Sequence, residues 1–94
     1  MFSKEQIEEI DVLQDLCDSL QVNGEPFICF DILSDIVHSN KGFSKLSQEE
    51  LLLLKKQLFE YKKFWQDIDW FDNRIFLELL PQFETRIEIE LLKY

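Results

Sequence analysis

Two glycines and two prolines, at Gly24, Gly42, Pro26 and Pro81, are the only ones in 94 residues. Glycine reaches positive φ and proline presets its own φ, so a sandwich or barrel of many short strands would draw on far more of both for its turns. Long helices with few connections do not. The 46% hydrophobic content, with nine Phe, supplies enough apolar surface to offset an ordering cost of roughly 1.5 kcal/mol per residue, which excludes a disordered chain. At this length there is one core. The expected fold is all-α: a single acidic helical domain over residues 1–94, packed as a compact four- to five-helix bundle.

Hydrophobic spacing divides the chain. From Lys4 to Leu20, the residues Ile7, Ile10, Leu13, Leu16, Cys17 and Leu20 recur at three- and four-residue steps, the period of a one-sided helix. Ser3 and Gln6 have the spacing of a capping box, and Asn23-Gly24 supplies a left-handed exit. A second helix is predicted from Pro26 to about His38, with Glu25 as its cap and Phe27, Phe30, Leu33, Ile36 and Val37 on its core face. Ser47 and Glu50 mark the start of a third, which runs to about Trp65 along Leu51, Leu54, Leu58 and Tyr61. Lys55, Lys56, Lys62 and Lys63 fall mostly off that stripe and read as a solvated outer face.

Trp70, Phe71, Ile75, Phe76, Leu79 and Leu80 predict a fourth helix that ends near Pro81, because proline lacks the amide donor and restricts the residue before it. The tail from Arg86 to Leu91 alternates like a short strand, while Phe83, Ile87 and Leu91 keep helical spacing. A terminal helix is preferred, since a lone strand would have no partner to pair with. The aromatic run Phe59, Tyr61, Phe64, Trp65, Trp70, Phe71 and Phe76 reads mainly as core.

The net charge is −9 and unevenly spread. Residues 1–35 carry a balance of −8, residues 36–66 carry +3 and residues 67–94 carry −4. Such a chain repels the phosphate backbone, which argues against direct binding of nucleic acid, and it speeds the capture of a basic protein. At 100° per residue Glu8, Asp11, Asp15 and Asp18 fall within roughly 80° of one another, opposite the apolar stripe. Asp31 and Asp35 stand four apart on the second helix and repel by about 0.3 kcal/mol, a sign that a cationic partner would reverse. Glu8, Asp11, Asp15, Asp18, Asp31 and Asp35 are therefore the expected partner-binding residues.

Catalytic chemistry has no positive signal. His38 is the sole histidine and sits near the end of the second helix, where the dipole favours a cation. Cys17, Cys29 and His38 have spacings that match no compact zinc-ligand pair, and the two cysteines form no CxxC. Acidic pairs such as Asp31 with Asp35, or Asp67 with Asp69, are expected by chance among nineteen acids. No glycine-rich phosphate loop, GxSxG or HExxH occurs. The expectation is a non-enzyme with no catalytic residue, cofactor or metal. The N-terminus lacks the basic flank and apolar core of an export signal, and the longest apolar run, Leu51 to Leu54, is far short of the ~20 residues that span a bilayer. A cytoplasmic protein without membrane contact is expected.

Asn23-Gly24-Glu25-Pro26, then Phe30-Asp31-Ile32-Leu33, a short polar loop, a Ser-initiated helix and Phe64-Trp65 make a pattern over residues 10–68. It resembles the small helical immunity proteins of the Maf and contact-dependent growth inhibition systems. In those, a GEP turn opens a helix and a tryptophan closes the next one. Where that family has small residues and a cysteine in the middle of the second helix, this chain has Phe30 and Ser34, with Cys29 earlier, and it extends beyond Trp65. The resemblance implies an immunity protein that binds and neutralises a cognate toxin, often a nuclease with a basic surface. Two alternatives fit the charge or the aromatic content: a phage-type DNA mimic that inhibits a restriction or other DNA-binding enzyme, and a small helical adaptor. The +3 middle segment interrupts the continuous negative surface that mimicry would need.

Overall fold

Four α-helices carry the chain in the computed structural model, which describes residues 2–18, 21–22, 24–39, 42–65 and 74–94. They are α1 (Lys4–Cys17), α2 (Cys29–Ser39), α3 (Gln48–Trp65) and α4 (Arg74–Leu91). Between α1 and α2 lies a minimal hairpin, β1 (Gln21–Val22) against β2 (Glu25–Pro26), antiparallel with Gln21 opposite Pro26 and Val22 opposite Glu25. A 3-10 turn, Phe43–Lys45, precedes α3. Neighbouring helices pack in order and α4 returns to α1, so the bundle is a closed ring of four.

Local signals set the helix starts. The Ser3 hydroxyl accepts the Gln6 amide at 3.1 Å while the Gln6 side chain accepts the Ser3 amide at 2.8 Å, the reciprocal box that the spacing predicts. Ser47 and Glu50 repeat it at 3.1 and 3.0 Å. Ile10, Leu13 and Cys17 of α1, Phe30, Leu33, Ile36 and Val37 of α2, and Leu51, Leu54, Leu58 and Tyr61 of α3 are buried along the expected stripes. At the centre three rings meet edge to face: Phe30 to Phe76 at 5.1 Å, Phe30 to Tyr61 at 5.2 Å and Tyr61 to Phe76 at 5.3 Å between centroids.

Three expectations need correction. α1 ends at Cys17, not Leu20, and Gly24, with φ of 79°, belongs to the hairpin turn instead of a helix exit; Leu20 and Asn23 lie outside the described residues. α2 begins at Cys29, three residues after Pro26, and Glu25 and Pro26 are extended. The cause is Gln57 on α3, which donates from Nε2 to the Pro26 carbonyl and accepts the Ile28 amide, both at 2.8 Å. This buried amide serves the backbone of residues 26–28 as a strand would, and the Pro26 carbonyl is not left to open a helix.

The third correction concerns Pro81, which sits inside α4 and does not end it. Phe76, Leu79 and Leu80 before it and Phe83 and Ile87 after it are all buried, so one apolar face runs through the proline. Burial of each large side chain contributes about 1.5–3 kcal/mol, which outweighs a proline cost of about 3 kcal/mol when two such residues lie beyond it. Pro81 and Leu77 are both exposed, so the carbonyl that loses its intrahelical donor is on the solvent side. The tail is thus helix to Leu91, and the Tyr94 hydroxyl donates to the Leu46 carbonyl at 3.0 Å. The start expected at Trp70 falls outside the described residues, as do the Phe64 and Trp65 side chains. Of the aromatic run, Tyr61 and Phe76 are core, but Phe59 is 59% exposed, with the Lys63 ammonium 5.6 Å from its ring centre.

Candidate protein-binding face

Asp11 of α1 and Asp31 of α2 lie at the seam between the two helices, each bonded across it. Glu8, Asp11 and Asp15 of α1 and its C-cap Asp18 follow helical spacing, and on α2, Asp31, Ser34, Asp35 and His38 do the same. Polar bonds stitch the two rows together. The Ser34 hydroxyl donates to Asp11 Oδ1 at 3.0 Å, His38 Nε2 lies 2.8 Å from both Asp11 oxygens, and Gln14 Nε2 donates to Asp31 Oδ1 at 2.7 Å. Asp11 pairs with residues late in α2 and Gln14 with one early in it, so the helices are antiparallel and the acidic rows run alongside each other.

The six expected residues divide by role. Asp11 and Asp31 are half-buried at the seam and spend acceptor capacity on the neighbouring helix. Glu8, Asp15, Asp18 and Asp35 are exposed, Glu8 within 4.0 Å of Lys4. Asp15 lies in the last turn of α1 and Asp18 is its C-cap, with no basic residue in that turn. A carboxylate there faces the negative end of the helix dipole and costs about 0.3–1 kcal/mol. Local stability does not account for acids at that position.

Two polar residues unremarked in the sequence hold this face in place. The Glu9 carboxylate, half-buried on α1, accepts the Phe76 amide in the first turn of α4, where an anion meets the positive end of that helix. Nothing in the local pattern marks Glu9. Gln57 did carry a signal, a polar residue three places after Leu54 and four before Tyr61 on the inward side of α3, and it clamps the entry to α2.

Burial pushes the Cys17 thiol up to about 11, with the nearby Asp31 charge adding to the rise. Cys29 is driven well above the usual thiol range, first by burial and then by Cys17. Both thiols are therefore favoured in the protonated form at neutral pH. Among the described residues no three His, Cys, Asp or Glu side chains gather to hold a metal ion, and no helix is long and apolar enough to cross a membrane. Comparison with protein-family models, curated proteins and solved structures finds no match.

Proposed function

We propose that this protein is an immunity protein, which binds a cognate toxin of basic surface, a nuclease domain being the best fit, and holds it inactive in the cytoplasm. The observation that carries this reading is the acidic seam of α1 and α2: Glu8, Asp15, Asp18 and Asp35 stay exposed around Asp11 and Asp31, and two of them stand where the helix dipole disfavours them. A nuclease cleft that attracts phosphates attracts carboxylates by the same field, so the seam can occupy it in place of nucleic acid. Binding needs no catalytic residue, cofactor or metal from this chain. The sequence similarity of the Gly24-Glu25-Pro26 pattern to the Maf and contact-dependent inhibition immunity proteins points to the same role, although here these residues close a hairpin and α2 begins at Cys29.

The test is association with the toxin domain encoded by a neighbouring gene, followed by stopped-flow mixing at low and high salt. Association should slow at least tenfold as salt screens the seam, because exposed charges lose most of their reach beyond about 8 Å at physiological ionic strength. Absence of binding, or a rate indifferent to salt, would reject the proposal.

A further inference from the structure

A groove of about 500 Å³ runs between α3 and α4 on the bundle layer behind the acidic seam. Leu52, Phe59 and Ile87 supply its apolar lining, and Leu52 and Phe59 are 50% and 59% exposed. Seven residues apart, they lie on one face of α3. Lys55 pairs with Glu88 at 2.6 Å across the groove, Lys62 pairs with Glu84 at 3.4 Å beside it and Lys56 on the same side pairs with Glu25, so the α3 wall carries lysines and the α4 wall glutamates on antiparallel helices.

We propose that this face binds a second copy of the chain, in a two-fold dimer whose axis runs along the groove. Rotation about that axis brings α3 of one copy over α4 of the other without changing height. Lys55 then meets Glu88 of the other copy, Lys62 meets Glu84, and the Leu52 and Phe59 side chains of both copies fill the common groove. A two-fold axis across the helices would instead set lysine row on lysine row.

The charge pattern selects this occupant. The chain carries −9 overall, so two copies repel wherever acids dominate, and this face offers balanced signs. A purely acidic partner would be drawn by the lysines but opposed by Glu84 and Glu88, and a purely basic one would meet the reverse. A surface with one row of each sign is matched by its own rotated copy. The dimer is independent of the toxin-binding role and leaves the α1 and α2 seam uncovered.

Sedimentation of the full chain from about 1 µM to about 1 mM, the range of weak to moderate association, tests it. The mass should rise from 11.4 kDa toward twice that value. Phe59→Lys, at an exposed position, should weaken association at least tenfold with an unchanged circular dichroism spectrum. A Lys55→Glu/Lys62→Glu chain and a Glu84→Lys/Glu88→Lys chain should each be monomeric alone and dimerise when mixed. A wild-type chain that stays monomeric overturns the proposal, and its groove would then belong to a different partner. A dimer indifferent to Phe59→Lys overturns the assigned face. Growth beyond a dimer overturns the two-fold, because it signals an open contact between the lysines and the acidic seam.

Discussion

Gln57 shows what one side chain can decide. Its residue is 3% exposed and its amide satisfies two backbone groups where the short strand β2 gives way to the start of α2. Gln57→Leu keeps the packing but leaves the Pro26 carbonyl and the Ile28 amide without partners, each a desolvation cost of about 1–3 kcal/mol. Urea unfolding should therefore show a loss of about 2–6 kcal/mol. Lys56→Ala, which removes the exposed 2.9 Å pair with Glu25 on the same segment, should change stability by less than about 1 kcal/mol. Equal effects from the two variants would disprove the clamp. From sequence, the segment was readable only as helix, because Pro26 and Glu25 satisfy the local rules for a helix start and the residue that overrules them is thirty-one positions away.

Elements were most legible where one turn of chain contains the whole cause. Both capping boxes close within three residues, and each was visible in the order of Ser, Gln and Glu. Pro81 reads locally as a stop because its penalty is real, while the reward lies in Phe83 and Ile87 reaching the shared core beyond it. Pro81→Ala should restore the missing amide bond and stabilise α4 by about 1–2 kcal/mol, the helix gain of about 3 kcal/mol being reduced by solvent access and by the freer unfolded chain. Thermal melting reads the sign directly. A fall in Tm would mean that the tail depends on the proline for its docking against Leu46 and Phe43.

For the whole molecule, charge placement and packing pull in different directions. Asp15→Lys with Asp18→Lys should raise the stability of the free chain by about 0.5–1 kcal/mol, because cations then face the negative end of α1. The same pair should slow capture of the proposed toxin partner at least tenfold if the acids steer association. Stability measured by urea and rate measured by stopped flow would separate the two effects, and a variant that loses stability would contradict the placement of these acids. The sequence alone determined the all-α class, the apolar stripes, the capped starts of α1 and α3 and the segregation of charge, since each follows from neighbours within a few positions. Tertiary structure alone decided that Asp11 and Asp31 tie α1 to α2, that Phe59 is left outside the core of the single chain and that α4 runs through its proline. Those outcomes depend on which faces meet, and the contacts concerned join residues far apart in the chain.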